Sequence, residues 1–523
     1  MRRPASFLAC LTLAATAYLA DAQAQTPRAA DSEARAARAY EAVVHDGPLA
    51  VHAFLADFPK GADLHVHLAG AVYAESFIRA AGEDGLCVDP AALSFAKPPC
   101  SGQLVPAAKV TAYQDLYDRL VNAFSMRSFV ATSGLSGHDQ FFATFGRFGG
   151  LGKKHTGEWV DEVASRAAAE NEQYLELMQT PPFTHAAKIA HEIGWNQDFA
   201  QLRQALLDHG LREEVAADQE DVQTAETERR QMEHCGTAQA GPPCQVEVRY
   251  IYQILRGFPP EQVFAQTLLG FETVQASMGA SMEASGGRGG GWVGINFVQP
   301  EDGFISMRDY SLQMKMLEYL HGIYPQVHIS LHAGELAEGL VPPEGLRFHI
   351  RQAVELGHAE RIGHGVDVMY EDDAQGLLKE LAQKHVMVEI NLSSNEGILG
   401  IKGAEHPFPL YRAAHVPVAL STDDEGVSRI DLTHEYVRAA LDYHLSYRDL
   451  KELARTGMEH NFLPGESLWA APDAFTAPAA VCKGQAPGAE KPSAACKTFL
   501  EGSEKAAAQW ELERRFRVFE AKF

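Results

Sequence analysis

Two histidines stand two residues apart in Leu64-His65-Val66-His67-Leu68. On an extended strand such positions share one face, so a single ion could touch both rings. A third candidate, His332, closes the run Ser330-Leu331-His332-Ala333-Gly334-Glu335, with a small pair and then a carboxylate behind it. A fourth, His364, lies between glycines in Arg361-Ile362-Gly363-His364-Gly365, where the missing side chains let backbone approach a ligand. Acids gather in Ser421-Thr422-Asp423-Asp424-Glu425, directly after the apolar run Val416 to Leu420. Each fragment alone has a bland reading: a chance His-x-His, a satisfied loop histidine, a solvated acidic loop. Together, three imidazoles and one carboxylate make a nitrogen and oxygen donor set suited to zinc, with a further position left for water.

Such a set needs a scaffold that brings distant segments to one place. Eight short apolar runs, largely β-branched, supply it: Ala62 to Leu68, Tyr174 to Met178, Val248 to Leu255, Trp292 to Val298, Val327 to His332, Arg361 to His364, Val386 to Leu392 and Val416 to Thr422. Helical patterns separate most of them, and strand then helix repeated eight times predicts an α/β fold of the (β/α)8 TIM-barrel type. The candidate residues fall at the C-terminal ends of runs one, five, six and eight, the end of a barrel where active sites are built.

With the motifs in place, the chain closely resembles the adenosine deaminase family of metal-dependent hydrolases, and in particular its secreted, growth-factor-related branch. The resemblance rests on Pro59-Lys60-Gly61-Ala62-Asp63-Leu64-His65-Val66-His67-Leu68, on the His332, His364 and Asp423 segments above, and on three lesser matches: Tyr174 to Leu177, Asn391 to Asn395 and Asn461 to Trp469. It runs in order from about residue 59 to 470, and a bacterial member is expected. It implies that His65, His67, His332 and Asp423 ligate one zinc ion, which activates a water near neutral pH. It further implies that His364 orients or deprotonates that water, Glu335 gives a proton to purine N1, and Asp424 holds the ring through N7. The reaction implied converts adenosine, and with it 2′-deoxyadenosine, to inosine and ammonia by attack at C6.

Three departures bear on the substrate. Ala69 stands where the family carries an acid for the ribose 5′-hydroxyl, Gln299 where it has a glycine whose N–H meets purine N3, and Glu425-Gly426 where proline is usual. Gln299 could still use its backbone there. These keep open another 6-aminopurine (adenine, an N6-modified purine, an aminofutalosine-type nucleoside) and an extracellular nucleoside-binding factor. Retention of Glu335 and His364 beside a full ligand set argues against pure binding. Cytidine-deaminase and His-Glu-x-x-His protease signatures are absent.

The 69 acidic against 45 basic residues repel phosphate backbones and anionic lipid, so a neutral small molecule is the expected partner, a purine nucleoside by the resemblance, with no nucleic acid and no membrane after signal cleavage. Arg2, Arg3 and the apolar stretch Ala5 to Ala20, followed by Ala20-Asp21-Ala22 or Ala22-Gln23-Ala24, read as a cleavable signal peptide over 1–24 and a secreted or periplasmic protein. Residues 25–58 form a leading helical segment over Ser32 to Phe58, able to pair two chains into a homodimer or to cap the barrel bottom. The barrel occupies 59–470, with surface excursions at 81–112 and 211–246. Residues 471–523 form an extension whose helical pattern resumes at Phe499. The cysteines beyond the signal fall as local pairs, Cys87 with Cys100, Cys235 with Cys244 and Cys482 with Cys496, the arrangement of loops stapled in an oxidising compartment. The run Gly286 to Gly291 reads as a turn, since it lacks the Lys-Ser/Thr of a P-loop.

Overall fold

A computed structural model describes residues 26–280 and 291–523. The signal segment 1–24 and all of the glycine run except Gly291 lie outside the described residues.

Eight parallel strands form one sheet in chain order: β1 Gly61–His67, β2 Glu172–Gln179, β3 Glu247–Leu255, β4 Trp292–Val298, β5 His328–Ala333, β6 Arg361–His364, β7 Met387–Ile390 and β8 Val418–Leu420. All eight predicted runs become strands, with ends shifted by a few residues. The last strand returns to the first through a parallel bridge between Val66 and Asp423. There the His67 amide donates to the Asp423 carbonyl at 3.0 Å, and the Asp423 amide to the His65 carbonyl at 2.8 Å. The fold is the (β/α)8 barrel expected from the alternating pattern.

Helices wrap the outside, and the leading segment covers the end where the strands begin. It is two helices, Thr26–Asp46 and Pro48–Ala56, where the sequence reading expects one. Gly47 at φ 104° followed by Pro48 breaks the run, and Leu49 is left 88% exposed instead of joining the apolar face. Tyr40, Phe54 and Phe58 pack against Tyr447, and Phe54 and Phe58 also against Phe519 near the chain's end. Fully buried Lys60 is satisfied there by the carbonyls of Leu55, Phe58 and Glu170. The C-terminal helical pattern also divides, into Ala494–Glu501 and Glu504–Glu520, because Ser503 caps the second helix.

The excursions differ from their sequence reading. Between β1 and β2 the chain builds a small three-stranded antiparallel sheet holding the Cys87–Cys100 disulfide. It then continues well past residue 112 through the helices Gln114–Ala123 and Gly137–Arg147, which share an apolar core of their own. The acidic stretch 211–246 lies on the surface, but one face of its helix Val215–Met232 buries Asp218, Val222, Ala225 and Arg229. Tyr252 of β3 and Trp292 of β4 each donate to Asp218, at 2.8 and 3.0 Å. Cys235–Cys244 and Cys482–Cys496 pair as the spacing suggests. Among the described residues no helix is long and apolar enough to cross a membrane.

Candidate active site

The register of the barrel brings the sequence candidates together. His65 and His67 project from the end of β1, His332 from β5, and Asp423 from the turn after β8. Nε2 of His332 lies 3.1 Å from Nε2 of His65 and 3.2 Å from Nε2 of His67, and Asp423 Oδ1 lies 3.5 and 3.1 Å from the same two nitrogens. Four donors around one ion at zinc–nitrogen distance span edges of about 3.3 Å, so this cluster fits such an ion as it stands. The chemistry agrees, since burial holds the His67 and His332 rings below the usual imidazole range, neutral and with lone pairs free. Against its own burial, the imidazoles of His65 and His67 beside it hold Asp423 well below the usual carboxylate range.

Each donor is aimed by a partner on its far side, and these partners were not singled out in the sequence. His65 Nδ1 donates to Glu389 at 2.5 Å, and His332 Nδ1 to Asn296 Oδ1 at 2.6 Å. His67 Nδ1 lies 2.5 Å from the side-chain amide of Gln253, itself joined to Thr180. The other oxygen of Asp423 accepts from Ser394 at 2.6 Å. Glu389 in turn is held by Arg361 at 2.7 Å and Ser330 at 3.0 Å, and Arg361 by Glu176 at 2.6 Å. Such outer partners fix ring orientation and tautomer and raise metal affinity. Lone polar residues inside apolar strand runs, Asn296 in β4 and Glu389 in β7, were the signal available for them.

A cavity of about 360 Å³ opens beside the donors and is lined also by Glu335, Asp424, Gln299, Ala69 and the phenylalanines 141, 142 and 145. Both acids in it are perturbed. Burial, then the charges of Asp423 and Glu301, lift the Glu335 carboxyl well above its ordinary value, and burial with Asp423 does the same to Asp424. Asp424 Oδ1 is buried without a partner, a polar atom free for a ligand. Glu335 is set by its backbone: Glu301 accepts from the amides of Gly334 at 3.0 Å and Glu335 at 2.8 Å. His364 is fully buried, with Nε2 3.8 Å from Glu335 and without a hydrogen-bond partner.

Gln299 adopts φ 91°, a glycine-like conformation, and its side chain turns away to accept from the Gly257 amide at 2.7 Å. Asp423 and His364, at φ 62° and 71°, share this departure from ordinary backbone, which clusters at functional sites. The helix Gly137–Arg147 forms the far wall of the cavity and leans on the helix Leu392–Leu399, where Gly137 meets the Gly397 carbonyl too closely for any side chain.

Residues 285–470 match the family model of adenosine deaminase. The adenosine deaminase of Clostridium perfringens (strain ATCC 13124) is 34% identical over 139 residues, 26% of this chain and 39% of that protein. The adenosine deaminase of Escherichia coli (strain SMS-3-5) is 38% identical over 140 residues, 27% and 39% of the two chains. The chain thus spans about two fifths of the length of these curated relatives. Among solved structures, Arabidopsis ADAL complexed with IMP is similar in fold, with a TM-score of 0.50 and 20% identity over 78% of this chain and 93% of that one. The similarity to adenosine deaminases thus lies in the C-terminal half of the barrel, over residues 285–470 for the family model. The matched residues include His332, Glu335, His364, Asp423 and Asp424, whereas His65 and His67 are joined to them by the geometry.

Proposed function

We propose that this protein is a secreted, zinc-dependent aminohydrolase that deaminates adenosine and 2′-deoxyadenosine to inosine or 2′-deoxyinosine and ammonia. One observation carries the reading: a four-donor cluster of the right size shares a cavity with two buried acids, Glu335 and Asp424. The comparisons support the hydrolase class; the substrate is inferred from the shape and chemistry of the cavity.

His65, His67, His332 and Asp423 would hold the ion, which when bound supplies Lewis acidity to a water. The chain's own groups do the rest. Asp424 presents its carboxyl to purine N7 and fixes the ring, while the backbone at Gln299 faces the N3 edge. Glu335, poised by Glu301, hydrogen-bonds N1 and delivers its proton as the water oxygen bonds to C6, which makes C6 electrophilic. The C6–N6 bond then breaks. The carboxylate left on Glu335 takes one proton of the consumed water and is so reset, and the other water proton leaves with the amino group as ammonia. His364 orients the attacking oxygen.

Phe141, Phe142 and Phe145 line the same cavity as the donors and offer an apolar surface to the rest of the nucleoside. No lysine or arginine lines the cavity among the described residues, which favours an uncharged nucleoside over a nucleotide. The disulfides favour an oxidising compartment, in keeping with export directed by residues 1–24. The test is ultraviolet absorbance of purified protein with adenosine, 2′-deoxyadenosine and adenine in parallel. Chelator-sensitive loss of the adenine chromophore on the nucleosides is expected. No change on any of the three, in protein shown to contain zinc, refutes the assignment.

A further inference from the structure

The sequence leaves His364 two roles, orienting the water or taking its proton, and these require opposite tautomers. A base needs a lone pair on the nitrogen that faces the cavity, whereas an orienting donor needs a proton there. A backbone N–H is a donor without ambiguity, and one lies at the end of a chain of contacts leading to this ring.

The Phe408 amide donates to His406 Nδ1 at 3.1 Å. That nitrogen therefore bears no proton, and the neutral His406 ring carries its hydrogen on Nε2. His406 Nε2 lies 3.0 Å from Asn395 Oδ1, so the Asn395 oxygen accepts there and its amide nitrogen is turned the other way. Asn395 Nδ2 in turn lies 3.0 Å from His364 Nδ1, and Asn391 Nδ2 lies 3.3 Å from the same atom. His364 Nδ1 is thus an acceptor, and the hydrogen of the neutral ring sits on Nε2. All three side chains are buried, so no solvent is at hand to substitute for a mismatched partner. Turning the Asn395 amide around would set its nitrogen against the N–H of His406 Nε2. Nε2 of His364, the atom left without a partner, is the one that faces Glu335.

We propose that His406 and Asn395 are positioning residues which, anchored on the Phe408 amide, lock His364 as an N–H donor into the cavity. His364 then orients the attacking water by a hydrogen bond from Nε2–H to its oxygen and does not accept its proton. The assignment of a water as the species oriented rests on the hydrolase reading above; the tautomer itself does not.

The test combines imidazole nitrogen NMR on histidine-labelled, zinc-loaded protein with steady-state kinetics on adenosine. In the wild type His364, identified by its loss in His364→Asn, is expected as the Nε2–H tautomer. In Asn395→Asp a carboxylate faces Nδ1, and the proton should move to Nδ1. That variant should retain zinc and lose about 10- to 100-fold in kcat with KM changed by less than about threefold. His406→Gln offers the same acceptor and donor pair in an uncharged side chain and should restore both tautomer and rate, where His406→Ala does not. A wild-type His364 protonated on Nδ1, or a tautomer unmoved in Asn395→Asp and His406→Ala, overturns the proposal. Absence of adenosine turnover with the Nε2–H tautomer present would instead refute the substrate assignment and leave the relay standing.

Discussion

Gly70 faces Asp424 so closely that a β-carbon on Gly70 would lie 1.5 Å from the Asp424 Oδ1 atom. The carboxylate occupies the space where a side chain would be. Gly70→Ala should therefore displace Asp424 while leaving the four donors untouched. The expected outcome is normal zinc content with kcat/KM for adenosine lower by about 100-fold, read by elemental analysis and absorbance kinetics. Unchanged kinetics would remove Asp424 from the ring-holding role.

Glu335→Gln keeps the shape of the proposed N1 donor but has no acidic proton to deliver. Turnover should fall by about 10² to 10⁴-fold with zinc retained, the range expected for loss of general acid catalysis. Near-normal turnover would sink this part of the mechanism.

Removing a donor and removing its support should differ in degree. His332→Ala deletes one of four ligands and should lose both bound zinc and activity. Glu389→Gln leaves His65 in place but weakens the charge that orients it, so zinc affinity should fall by about 10- to 100-fold and activity should return at high zinc. Stoichiometric zinc in His332→Ala after dialysis would contradict the ligand set.

The cavity walls predict which nucleosides enter. A 5′-phosphate would bring two negative charges into a space that already holds several acids and, among the described residues, has no lysine or arginine in its lining. Adenosine 5′-monophosphate should show kcat/KM at least about 100-fold below adenosine. Comparable values for the two, from parallel assays, would place a cation at the mouth.

Asp218 links pH to stability far from the chemistry. Burial lifts its carboxyl from the ordinary range to about 7, an effect that the hydrogen bond from Tyr252 opposes. Because the folded-state value is raised, the folded protein holds this proton where the unfolded chain has lost it. The associated stability is complete below about pH 4 and declines as pH rises toward 7. Asp218→Asn should therefore leave the melting temperature unchanged near pH 4 and raise it by about 2 °C or more at pH 8. An equal shift at both pH values would point to packing instead of ionisation.

How far could this have been read from residues alone? The eight strands were legible because each is a short β-branched run, and the four donors because His-x-His and the terminal His and Asp mark strand ends. The partners that aim those donors were not. Glu389 and Asn296 sit within apolar runs as single polar residues, and only the closed barrel shows that each faces a ring from another strand. The phenylalanine wall was also hidden, since the Gly137–Arg147 helix lies beyond the excursion suggested by the Cys87–Cys100 spacing. The acidic stretch read as solvent-facing from its charge, yet Asp218 and Arg229 turn inward because Tyr252, Trp292 and the acids of the same helix satisfy them. Composition reports average polarity and does not reveal which polar atoms find partners.

The parallel bridge between Val66 and Asp423 gives the barrel a seam, and the ligands stand on both sides of it. An ion held there would act as a clasp between the first strand and the last. A chain that has emerged only as far as β7 contains three of the four donors but has no closed ring to hold them in register. Ion capture would then be the final event of maturation, and a bound metal would certify that the whole barrel had closed.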